Sequence, residues 1–353
     1  MSCRLSAGTS TLWNQLRTHP DVAWVGKDKE TLYFNGDVEF GRSALCDNDL
    51  EAYHREVGAM RRSTGRLDLL VGDWSATYLT CVCCPTVLRT INPDIKLVLV
   101  LRDPVQRALS RFIEQKSLGG GPHHDKVHNH TFESYVGAEL AELEACRGRA
   151  ELYRRRQARL QAAQQGQPAG AAGDSGNGTG GGFRGWGAGM SLGDWMEAQC
   201  YERSNILGWS VYDTFLANYL AHFPHSQMLV LYTDELAIDP LQVLRKLEAH
   251  LGLRPHDYAP GPLGTVYNAR GCYVLGATLQ QLRASELGSR QAVQKMLDTA
   301  QAARAAEEAE EASLRRAAAK LASFYRPHVQ RLFRWADEGR IAQPPAAWRE
   351  AYK

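Results

Sequence analysis

The chain holds no run of about 18 uninterrupted apolar residues, the minimum for a membrane-spanning helix. Its opening, Met1-Ser2-Cys3-Arg4, lacks the apolar stretch of a signal peptide. It also lacks an excess of charge of either sign: 41 Lys and Arg stand against 39 Asp and Glu, a formal net charge of +2. Without a basic field, nucleic acid is disfavoured as a partner. Zinc-finger spacing is absent as well. Eight cysteines are present, and Cys81, Cys83 and Cys84 cluster, but no second Cys-x-x-Cys or Cys/His pair stands at finger spacing. They therefore read as ordinary thiols or one disulfide. What is there is ordinary for a globular protein: 353 residues, 44% hydrophobic and 23% charged, enough for one large domain with a sizeable core.

Composition shifts mark two interruptions. From about Ala138 to Gln165 the sequence is rich in Ala, Glu, Arg and Gln and reads as an exposed helix. It then passes into Gly/Ala/Ser-rich sequence up to Gly193, which buries too little apolar surface to offset its ordering entropy. A second Ala/Glu/Arg-rich segment, 302–320, reads as another solvated helix. His123, His124, His128 and His130 follow Gly119-Gly120-Gly121-Pro122, which places them on a mobile surface loop.

Elsewhere the pattern is that of parallel α/β structure. Asp68–Gly72, Lys96–Leu101 and Gln227–Tyr232 are short apolar runs, as strands covered on both faces must be. Asp103 and Pro104 follow the second run, and Asp239 and Pro240 come soon after the third. In each pair an N-cap precedes a proline suited to the first helical turn. Apolar residues then recur at helical spacing, from Val105 through Ala108 and Leu109 to Phe112, and from Leu241 through Leu244 and Leu247 to Leu251, where Gly252 is a stop. Strand, corner and helix repeat, which is βαβ wiring, and ligands of such sheets bind beyond the carboxyl ends of the strands.

Three corners carry the chemistry. Ser6-Ala7-Gly8-Thr9-Ser10-Thr11 combines small residues, hydroxyls and a helix start, the makings of an anion cradle. It lacks the lysine of the GxxxxGK[ST] nucleotide-triphosphate loop, which argues against a kinase or other NTP-using enzyme. Gly72–Tyr78 is the second corner. Arg102–Ser110, reading R-D-P-V-Q-R-A-L-S, is the third, and couples a guanidinium at a strand end to a serine on the next helix.

Together these motifs resemble the sulfotransferases that use 3′-phosphoadenosine 5′-phosphosulfate (PAPS). The resemblance implies that Ser6, Ala7, Gly8, Thr9, Ser10 and Thr11 hold the 5′-phosphosulfate and that Arg102 and Ser110 hold the 3′-phosphate. A guanidinium fork suits a phosphate dianion. Further matches favour the carbohydrate branch, the heparan sulfate N- and 3-O-sulfotransferases. They are Lys29–Phe34, Gly72–Tyr78, Tyr212–Tyr219 with Phe223-Pro224, Asn268–Tyr273 with Arg270 and Gly271 closing over the nucleotide, and Leu321–Phe333. The implied fold is a three-layer, P-loop-like α/β domain over residues 1–353 with a central parallel sheet and insertions at 138–193 and 302–320. The implied reaction is sulfuryl transfer to a hydroxyl or amine of a glycan, which calls for no metal.

Two positions depart from the pattern. Ser6 stands where the family has a lysine, for which Arg4, Lys27, Lys29 or Arg270 could substitute. Only Met1–Leu5 precede the loop where the family has a strand, which reads as a truncated or misassigned N-terminus. The base that takes the acceptor's proton is Glu30, by its match to the 3-O branch, with Asp73 as second choice. A catalytically impaired PAPS- or PAP-binding protein is the alternative reading. The resemblance places the chain in the Golgi lumen, where the sequons at Asn129 and Asn177 would have meaning; a genuine start at Met1 would make it cytoplasmic.

Overall fold

The computed structural model describes residues 8–26, 29–35, 50–66, 68–164, 190–259 and 290–353. Among them the chain is mixed α/β and mostly helical. Helix α1 (Gly8–Leu16) leads into strand β1 (Val22–Trp24), α2 (Leu50–Thr64) and β2 (Leu70–Gly72). A 3-10 turn (Ala76–Thr80) and α3 (Cys84–Ile91) precede β3 (Leu97–Leu101) and α4 (Pro104–Lys116). Then come α5 (Pro122–Val127), α6 (Phe132–Gln164), α7 (Leu192–Glu202), α8 (Tyr212–His222) and β4 (Met228–Tyr232). Helices α9 (Thr233–Ile238), α10 (Pro240–Leu251), α11 (Arg290–Asp337) and α12 (Ala346–Ala351) complete the order.

Instead of one central sheet, the described residues hold two separate two-stranded parallel ladders. β1 pairs with β2, Ala23 opposite Val71, and β3 pairs with β4, Leu99 opposite Val230. Side chains alternate across the second ladder as strand geometry requires. Leu99, Leu101, Val230 and Tyr232 enter one core with α3, α4, α6, α8, α11 and α12. Val98, Val100, Leu229 and Leu231 enter another with Leu12 and Leu16 of α1, Leu236 of α9 and Leu244 and Leu247 of α10. Helices thus cover both faces, and β3 and β4 had to be apolar throughout.

The caps form as the sequence dictates. Asp103 accepts a 2.8 Å hydrogen bond from the Gln106 amide, Asp239 a 2.9 Å bond from the Gln242 amide, and Gly252 ends α10 at φ 73°.

Two expected helices are present and one expected loop is corrected. Residues 138–164 are helical, as the composition suggested, within α6, where Leu143 and Ala150 are buried. Residues 302–320 are helical too, within the long α11, where Ala317 is buried and Arg316 pairs with Glu133 of α6 at 2.7 Å. The histidine loop contains a helix, α5, pinned because Val127 is fully buried. In each case a few buried residues dock an otherwise polar helix. The part of the first insertion at 165–189 lies outside the described residues.

Two disulfides are formed among the described residues, Cys81–Cys84 and Cys146–Cys200, the second tying α6 to α7 across 54 residues of chain. Among the described residues no helix is long and apolar enough to cross a membrane.

Candidate active site

Candidate residues lie just past the carboxyl ends of β2 and β3. Gly8 opens α1, which packs against α9 where that helix leaves the carboxyl end of β4. A helix start offers unpaired amides and the positive end of a dipole. Thr9 is half-buried, and Ser10 and Thr11 are 2% and 4% exposed. Ser6, Ala7, Arg270 and Gly271 fall outside the described residues, as do Arg4 and Lys27.

Arg102 directly follows β3 and Ser110 lies two turns along α4, both half-buried. The corner is held from behind. The Tyr212 hydroxyl donates to the Arg102 carbonyl at 2.9 Å, and the Tyr352 hydroxyl donates to Asp103 at 3.0 Å. Arg107 turns the other way: it donates to the carbonyls of Asn205 and Ile206 and to the Ser210 hydroxyl, at 3.2 to 3.4 Å, with its guanidinium over the Trp209 ring. Burial holds its pKa below the ordinary arginine value. The second arginine of the motif is thus a brace for the segment before α8.

Glu30 and Asp73 are brought together beyond the carboxyl end of β2. Asp73 follows β2 and accepts from Thr31 at 2.6 Å, Tyr78 at 3.1 Å and Ser75 at 3.4 Å. The same hydroxyls receive the backbone of the facing segment, since the Leu32 amide donates to Ser75 and the Tyr33 amide to Tyr78. Burial pushes the Asp73 carboxyl up to about 6 against the pull of the three hydroxyls, and the Glu30 charge adds to the rise. Glu30 accepts from Lys29 at 2.7 Å and from the Ala76 amide at 3.0 Å, while its own amide donates to the Trp74 carbonyl at 2.6 Å. Its φ of 66°, with 55° at Leu32, is left-handed backbone that a side chain adopts only when its surroundings impose it. Chemically this is a pair of carboxylates held on facing segments, one buried among hydroxyls and one beside a lysine ammonium.

A cavity of about 460 Å³ lies elsewhere, between α6, α7, α8 and α11. None of the candidate residues lines it. Its arginines are paired with carboxylates: Arg147 with Glu197, Arg154 with Asp194, and Arg331 with Asp213. It is an ion-paired seam between helices.

The crystal structure of a sulfotransferase from Alicyclobacillus acidocaldarius resembles this chain over 98% of its length and 95% of that protein's, with a TM-score of 0.50 and 18% sequence identity. The two chains share a fold. No family model matches the sequence, and no curated protein does.

Thr31, Ser75, Tyr78, Arg107, Tyr212 and Tyr352 were not assigned roles by sequence reasoning. All but Tyr352 lie inside quoted motifs, so a signal existed there. Tyr352 carried none, because it reaches Asp103 from 249 positions away.

Proposed function

We propose that the chain transfers a sulfuryl group from PAPS to a hydroxyl or amine of a carbohydrate acceptor. The observation that carries this reading is the placement of Arg102 at the carboxyl end of a strand buried on both faces, with Ser110 on the helix that starts there, in a chain with a sulfotransferase fold. Guanidinium and hydroxyl donors fit a 3′-phosphate, and the start of α1 with Thr9, Ser10 and Thr11 fits the phosphosulfate end. Glu30 takes the proton of the acceptor as its oxygen or nitrogen bonds to sulfur. The bond from sulfur to the bridging oxygen breaks, leaving 3′-phosphoadenosine 5′-phosphate (PAP). Asp73, its oxygens already held by three hydroxyls, fixes the segment that carries Glu30 and is the second candidate for the base. Among the described residues Lys29 stands next to Glu30 and is the cation available to the departing phosphate. The Cys146–Cys200 and Cys81–Cys84 bonds support an oxidising compartment such as the Golgi lumen.

Calorimetric titration with PAP, against 5′-AMP and Mg-ATP, tests this reading. The expected result is a strong preference for PAP that is lost in Arg102→Ala, followed by sulfate incorporation into glycan acceptors. Equal binding of AMP and PAP by the folded protein would overturn the donor assignment. PAP binding without transfer would select a nucleotide-binding protein.

A further inference from the structure

We propose that His124, Asp125 and His128 form a surface site for a borderline divalent cation of the Zn²⁺ type, separate from the sulfuryl-transfer chemistry. One ligand atom from each of the three lies within 4.8 Å of the others. The arrangement follows from local structure. His124 in α5 and His128 at its C-cap are four residues apart, so their rings share a side of the helix and stack, with centroids 5.1 Å apart and planes 16° from parallel. Two histidines at this spacing are the pair that a helix uses to grip zinc. Asp125 adds a carboxylate oxygen 3.4 Å from the Nδ1 of His124. Small side-chain rotations close the three onto an ion at about 2.0–2.2 Å, the ordinary length of Zn–N and Zn–O bonds.

The ring nitrogens are already sorted. Nδ1 of His128 lies 3.1 Å from the Asp125 carbonyl, which can only accept, so Nδ1 carries the proton and the lone pair sits on Nε2. Engagement of the second nitrogen by a carbonyl is the support that orients metal-binding histidines. The turn itself is fixed, which lowers the ordering cost of binding. Val127 is fully buried in the main core, the His128 amide donates to the His124 carbonyl at 2.9 Å, and His123 bonds the Asn205 side chain at 3.1 Å. Lys116 clamps the exit by donating to the His130 carbonyl at 2.6 Å. Two imidazoles and one carboxylate suit Zn²⁺, Co²⁺ or Ni²⁺ over the hard cations Mg²⁺ and Ca²⁺, and three protein ligands leave room for water to complete the shell.

The test uses the full chain without a histidine tag, titrated calorimetrically with ZnCl₂ alone, and with CoCl₂ followed by visible absorption. The expected result is one equivalent bound, with a cobalt spectrum displaced by zinc and no heat from MgCl₂. His124→Ala, His128→Ala and Asp125→Asn, each checked by circular dichroism, should each weaken zinc binding at least about tenfold, the loss that removal of even an outer-shell partner of a metal ligand typically causes. His225→Ala, a remote exposed histidine, should leave it unchanged. No zinc binding by the folded parent chain, or binding that survives all three substitutions, would overturn the proposal.

Discussion

Asp73 gives the sharpest quantitative test, because its environment opposes its charge. Three hydroxyls stabilise the carboxylate, yet burial outweighs them and, with the nearby Glu30 charge, lifts the pKa from 3.8 to about 6. The folded state therefore holds this proton where the unfolded chain releases it. Stability contributed by the protonated form is present below pH 4 and is lost as pH rises through 6. The shift corresponds to about 3 kcal/mol in full, of which about 2 kcal/mol falls between pH 4.5 and 7.5. Asp73→Asn removes the titration while keeping an acceptor for Thr31, and the Tyr78 hydroxyl can reorient to accept. Urea unfolding of both proteins at the two pH values measures the effect as a difference of differences, which cancels every other titrating group, including Glu202, itself raised to about 7 by burial. The variant should gain about 2 kcal/mol relative to the parent on going from pH 4.5 to 7.5. Parallel pH profiles would refute the assignment of a buried, proton-holding Asp73.

Two further outcomes rest on packing and covalent structure. A Cβ built on Gly208 would lie 2.2 Å from the Tyr201 carbonyl oxygen and 2.7 Å from its Cα, backbone that cannot step aside, so Gly208→Ala should cost about 3 kcal/mol in chemical denaturation. A loss below about 0.5 kcal/mol would show that α7 and the 208–210 turn are not in this contact. Replacing Cys146 and Cys200 together by serine opens a loop closed across 54 residues and should lower stability by about 4 kcal/mol on the chain-entropy estimate. Equal stability of the double variant and the oxidised parent would argue against that bond.

Legibility followed the range of the interaction. The strands β3 and β4 announced themselves because burial on both faces forces every side chain to be apolar. The caps Asp103 and Asp239 were readable because each needs only an amide three residues on. The corner at Arg102 and Ser110 was readable for the same reason, being nine consecutive residues. β1, at three residues, was too short to give a period.

The sequence by itself determined the parallel α/β class, the caps and corners that start its helices, and the chemical types gathered at those corners. Tertiary structure alone decided that β3 lies beside β4, that Thr31, Ser75 and Tyr78 converge on Asp73, that Arg107 braces a distant segment, and which cysteines join. The physical reason is that the contacts bringing distant segments together gain their free energy only after a long loop has closed: Thr31 meets Asp73 across 42 positions, Arg107 meets Asn205 across 98, β3 meets β4 across 131 and Cys146 meets Cys200 across 54. No local periodicity can encode a partner that far away.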